Sequence, residues 1–114
     1  GIISESDIRL KDNIKPLKDS LNKIISLHGV SYNWKKYKNT PKYKKPTFGF
    51  IAQEVDKIIP EIVVTKNTED LKDKLHINYI ELIPIITEAI KAQQHIITNI
   101  ENTIKNIENK IIIN

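Results

Sequence analysis

The residues with the clearest chemical potential stand near the start of the chain, in the run Ser6-Asp7-Ile8-Arg9-Leu10-Lys11. A serine hydroxyl is a weak nucleophile until a base takes its proton, and a lysine amine does so once burial or a neighbouring cation favours its neutral form. Arg9, the one guanidinium of the sequence, stands between the two as a candidate for that cation. Spacing works against the pair, because five residues of extended chain span about 17 Å and only a turn could bring hydroxyl and amine together. Read without other help, the run is a surface serine followed by a surface lysine.

The rest of the catalytic inventory is thin. His28, His76 and His95 have no paired metal-ligand spacing, and there is no Gly-rich phosphate loop, zinc-binding helix motif or Gly-x-Ser-x-Gly elbow. Asp7, Asp12, Glu54 and Glu81 are too dispersed to single out a carboxylate pair of the glycosidase kind. The absence of cysteine excludes disulfides, thiolate metal sites and thiol catalysis. No metal and no cofactor are expected.

A chain of 114 residues allows one modest core, without room for a large enclosed cavity. No apolar run reaches the roughly 18 residues of a membrane span, and no membrane partner is expected. The net charge of +4 is uneven: six lysines fall in residues 35–45, interleaved with Tyr37 and Tyr43 as in a single-strand nucleic-acid binder. Asn39, Pro41 and Pro46 mark that stretch as a loop, and a solvated protrusion is the favoured reading.

The elements that must position these residues follow from periodicity. Residues 2–14 alternate polar and apolar side chains and are expected to be extended. Pro16 suits a first helical turn, and Leu17, Leu21, Ile24, Ile25 and His28 recur at helical spacing, so a helix of about three turns is expected, with Gly29 as a left-handed stop. Val30, Tyr32 and Trp34 alternate as a half-buried strand. Ile51, Val55, Ile58 and Ile59 share one face of a shorter helix within residues 48–59 that ends at Pro60. Ile62, Val63 and Val64 make a short strand, with Leu75 and Ile77 in its partner. Asn78 and Glu81 have the form of a capping box that opens the last helix.

In that helix Ile83, Ile86, Ile90, Gln93, Ile97, Ile100, Ile104, Ile107 and Ile111 step by 3 and 4 without a break. This is a heptad seam with one polar layer, and isoleucine at both a and d shifts preference from two strands to three or four. A parallel trimer is expected, the alternative being that the helix folds back on its own chain. Pro84 is expected in the second turn, removing a backbone donor and bending the helix.

Several blocks then combine: Ser6-Asp7-x-Arg9-x-Lys11 with Asn13-Ile14; Gly29-Val30-Ser31-Tyr32-Asn33-Trp34-Lys35; Gly49-Phe50-Ile51-Ala52-Gln53-Glu54-Val55 with Pro60; and Tyr79 leading into Glu88-Ala89-Ile90-Lys91. In this order they resemble the endosialidase-type intramolecular chaperone family of peptidases, found at the C-terminus of phage tail spikes and fibres and in myelin regulatory factors. The resemblance implies a domain that trimerises, helps an upstream fibre fold in register and cuts itself off. It implies Ser6 as nucleophile, Lys11 as base and Glu5-Ser6 as the scissile bond. Asp7 and Arg9 match fixed places that would orient or tune the dyad; Gly49, Gln53 and Glu54 match a second signature, structural or supporting. Ser4 lies close by, but Asp7, Arg9 and Lys11 are in phase only with Ser6.

The expected architecture is α+β and mainly helical, a small globule with short strands followed by a long C-terminal helix in a parallel trimeric coiled coil. Residues 1–5 would be a remnant upstream of the cleavage site, 6–78 the auto-processing globule and 79–114 the coiled-coil helix. The implied setting is a viral tail fibre or spike precursor in the host cytoplasm during assembly, with the chain itself and the upstream fibre as partners. Two other readings stand beside this one: a trimerisation cap that does not cleave, and a nucleic-acid-binding module acting through residues 35–45.

Overall fold

The computed structural model describes residues 3–35 and 45–113. Its backbone is the helix α3, Leu82–Ile113, whose 32 residues correspond to about 48 Å of length at 1.5 Å per residue. At its base Leu82, Ile85 and Ala89 recur at helical spacing and are buried. The short helix α1 (Ser20–Ser26) packs along it. Helix α2 (Ala52–Ile58) adds Val55, and Ile59 just beyond its end lies four residues on, both 1% exposed. With Ile62 these make the core, and Ile24, Leu27, Phe50, Ile58, Val63 and Ile77 close its edges.

Two antiparallel pairs flank this core. Strand β1 (Val30–Tyr32) pairs with β2 (Thr47–Gly49) in the register Val30 to Gly49 and Tyr32 to Thr47. Strand β3 (Val63–Lys66) pairs with β4 (Lys74–Ile77), Val63 opposite Ile77. The core is small and α3 runs far past it, so the molecule measures 75 × 42 × 29 Å.

Several local expectations are corrected. Residues 2–14 do not form one extended stretch, since a single 3₁₀ turn occupies Ile8–Leu10. The first helix begins at Ser20 instead of Pro16, because Asp19 takes a left-handed conformation (φ 58°) that breaks the helical path. Gly29 is not its left-handed stop: the helix ends at Ser26 with Leu27 as an extended cap, and among the described residues no glycine has positive φ. Trp34 lies beyond the strand. Thr47–Gly49 is a strand where only a helix was expected nearby, and Ile62 belongs to a 3₁₀ turn, Pro60–Ile62, that precedes β3.

The opening of α3 also differs. The Asn78 side chain makes no capping bond; its backbone N–H is given to the Ile62 carbonyl (2.8 Å), and a 3₁₀ turn at Tyr79–Glu81 leads into the helix instead. Pro84 is the third residue of α3, where no intrahelical donor is needed, so it removes no bond. Most of the lysine-rich stretch, residues 36–44, lies outside the described residues. Among the described residues no helix is long and apolar enough to cross a membrane.

Candidate functional site

The turn at residues 6–11 supplies what linear spacing denies. Leu10 N–H bonds to the Asp7 carbonyl (3.0 Å) and Lys11 N–H to the Ile8 carbonyl (3.1 Å), closing one turn of 3₁₀ helix. Asp7 Oδ1 accepts the Arg9 backbone N–H at 2.9 Å, the usual capping contact at a helix start. The Arg9 side chain then grips the same carboxylate, Nε to Oδ1 at 3.1 Å and Nη2 to Oδ2 at 2.8 Å. Lys11 leaves the turn extended, and its Nζ donates to Ser6 Oγ at 2.6 Å. Ser6, Asp7, Arg9 and Lys11 are thus brought together within one chain.

The electrostatics of the turn are local. Hydrogen bonds from the Arg9 side chain and backbone hold the Asp7 carboxyl below the usual carboxylate range, and Asp7 in turn raises Arg9. Residues 3–19 are all exposed, including the apolar Ile8, Leu10, Ile14 and Leu17. The Ser6–Lys11 contact therefore forms in the open, on a segment with apolar side chains at its flanks.

The residues of the second signature lie on β2 and α2. A Cβ at Gly49 would stand 2.8 Å from the Tyr79 hydroxyl and 3.3 Å from the Tyr32 ring. That hydroxyl accepts the Phe50 N–H at 3.1 Å, and the Phe50 and Tyr79 rings stack at 6.1 Å. Gly49 thus allows the end of β2 to lie against the foot of α3. Glu54 on α2 faces His28, Oε1 to Nδ1 at 3.5 Å, while Gln53 is exposed beside it. Tyr79 is the residue whose part was hardest to foresee, because its contact with Phe50 joins positions 29 apart.

Along α3, the heptad seam runs beside the stripe of buried Leu82, Ile85 and Ala89, Ile83, Ile86 and Ile90 each following one of these by a single position. Its eight isoleucines are between 40% and 70% exposed in the single chain, and Gln93 is exposed among them. The helix does not fold back to cover them. Among the described residues, no group of three or more His, Cys, Asp or Glu side chains is placed to hold a metal ion.

The chain thus combines an exposed serine hydroxyl in contact with a lysine amine, a small α+β globule and a helix with a bare isoleucine seam. The chain belongs to the chaperone of endosialidase family, peptidase S74, which matches residues 6–64. That range opens at Ser6 and contains Lys11, Gly49, Gln53 and Glu54, whereas α3 lies beyond it. The long tail fibre proteins Gp37 of Enterobacteria phages K3 and T2 are each 33% identical over 94 residues, covering 81% of this chain and 7% of theirs. Gp37 of Escherichia phage AR1 is 33% identical over 87 residues, covering 75% of this chain and 8% of its own length. The chain thus spans only a small part of these relatives.

Proposed function

We propose that this chain is the C-terminal intramolecular chaperone of a viral tail fibre or spike, which brings three copies together, assists folding of the fibre ahead of it and releases itself by cleavage at Glu5-Ser6. The 2.6 Å contact between Lys11 Nζ and Ser6 Oγ carries this reading. With the proton roles exchanged, the same contact lets a neutral amine take the hydroxyl proton. The Oγ then attacks the Glu5 carbonyl carbon, the C–N bond breaks as the amide nitrogen of Ser6 takes a proton, and the acyl group rests on Oγ as an ester. Water hydrolyses that ester, leaving a carboxylate on Glu5 and a free amine and hydroxyl on Ser6. Ile8, Leu10 and Ile14 of the same segment are exposed and leave apolar surface for another part of the assembled fibre to cover.

The seam supports the assembly half of the reading. Isoleucine at both core positions of the heptad favours three or four strands, and eight half-exposed isoleucines on one helix leave apolar area for other copies to cover. Gln93 would form the single polar layer and help fix register. A fibre of three interwoven chains must overcome a large loop-closure entropy before its contacts form, and a coil raises the effective concentration of the chains. Removal of the helper afterwards leaves a fibre kinetically trapped in its folded form. In this scheme residues 1–5 stay with the fibre, residues 6–78 form the processing globule and residues 79–114 the coil. The setting is a tail fibre or spike precursor in the host cytoplasm.

The test is to express the chain behind its fibre and compare wild type, Ser6→Ala and Lys11→Ala by mass. Cleavage before residue 6 is expected in the wild type alone. Unchanged cleavage in both variants would remove the dyad, while an intact bond in an assembled wild type would leave a trimerisation cap without peptidase activity.

A further inference from the structure

The Ser6–Lys11 contact is made by a short exposed segment that gains little from burial, so something within the segment must hold it closed. We propose that Asp7 is the positioning residue of the dyad, acting as the cap of the intervening turn and not through its charge. This rests on the reading of Ser6 and Lys11 as a cutting pair. Five residues of extended chain would part the two side chains by about 17 Å; the Ile8–Leu10 turn brings them to 2.6 Å. A single helical turn is costly to nucleate, since several dihedrals are fixed for one or two hydrogen bonds. Here two backbone bonds close it, and the contact from Arg9 N–H to Asp7 Oδ1 is a third, made by a side chain.

The same carboxylate does not act on Lys11 as a bare charge. Arg9 engages both of its oxygens, and a guanidinium 2.8 Å away matches its charge. For the same reason Arg9 is occupied with Asp7 and does not stand as a free cation beside the amine. Its fork keeps the Asp7 side chain in the capping rotamer.

The experiment measures the rate of self-cleavage of the chain behind its fibre. Asparagine caps a helix about as well as aspartate and carries no charge, so Asp7→Asn should cleave within about twofold of wild type. Asp7→Ala should slow cleavage about fivefold. Arg9→Ala, which leaves the cap and removes the fork, should slow it less than Asp7→Ala does. In a Ser6→Ala background the Arg9 amide should exchange faster with Asp7→Ala and keep its protection with Asp7→Asn. Oligomeric state and thermal midpoint should not move in any of these variants.

Equal losses in Asp7→Asn and Asp7→Ala would make the charge the active feature and overturn the proposal. So would an Arg9→Ala loss equal to that of Asp7→Ala, an Asp7→Ala chain that cleaves at the wild-type rate, or one whose thermal midpoint falls. Cleavage persisting in Ser6→Ala would instead remove the cutting pair, and amide exchange in that background would still decide whether Asp7 caps the turn.

Discussion

The N-terminal turn and the C-terminal helix are both exposed, yet they are held by opposite means. The turn closes through hydrogen bonds between residues at most five apart, from Lys11 back to Ser6. The helix is anchored through burial at its base alone, by Leu82, Ile85 and Ala89 against residues from α1 and α2, and its remaining turns rely on the backbone ladder. The proposed chemistry thus rests on local contacts, whereas the proposed assembly rests on a surface the single chain leaves bare. The two should be separable by substitution.

The largest effect is expected at the seam. Ile100→Asp with Ile104→Asp puts two carboxylates in each copy where the coil would bury isoleucine, and a buried unpaired charge costs on the order of several kcal/mol. On the proposed assembly the wild type should sediment as a trimer and the doubly substituted chain, at the same concentration, as a single chain. Because both positions lie far past the buried base of α3, the globule's own thermal transition should persist. A trimer surviving these changes would show that the seam is not what joins the copies.

How far the sequence could be read follows the same division. The long helix was legible because its pattern repeats over many turns, and β3 with β4 because β-branched residues flank a polar stretch. Strand β2 was hidden: Thr47–Gly49 is too short for a period, and the helical spacing of Ile51, Val55 and Ile58 drew the whole stretch toward a helix. The start of α1 was misplaced because Pro16 and Leu17 fit a helix, whereas Asp19 in a left-handed conformation carries no apolar signal. At the site, the residue types and their phase were readable, but the Asp7 cap that closes the turn was not, since an extended alternation and a one-turn interruption look alike over six residues.

A middle-sized effect is expected where a long-range contact joins sheet to helix. Gly49→Ala would press a methyl group to 2.8 Å from the Tyr79 hydroxyl and 3.3 Å from Tyr32, and overpacking of this kind costs about 1–3 kcal/mol. Tyr79→Phe alone gives up the hydrogen bond from Phe50 N–H, worth about 1 kcal/mol. In the double variant the nearest atom is gone, so the loss measured by denaturant midpoint should be smaller than the sum of the single losses. Additive losses would mean that the hydroxyl is not what Gly49 makes room for. Unlike the seam change, this one should lower the stability of the globule itself.

The smallest effect comes from a second aspartate that holds a local turn, Asp70, half-buried in the loop between the strands of the second pair. Between β3 and β4, Asp70 takes hydrogen bonds from the Thr68 hydroxyl and from Lys74 Nζ, the latter at 3.0 Å. Thr68 first and Lys74 second lower its pKa from 3.8 to about 2. A carboxylate depressed in the folded state adds stability that is present above its unfolded value and is lost as pH falls through the folded one. Its contribution should therefore be full above about pH 4 and fade toward pH 2. Followed by NMR, the Asp70 titration should move upward in Thr68→Val and less so in Lys74→Ala. If Lys74→Ala moves it further, ion pairing outweighs hydrogen bonding in this loop, and the preference for capping over charge would not extend from the N-terminal turn to the rest of the molecule.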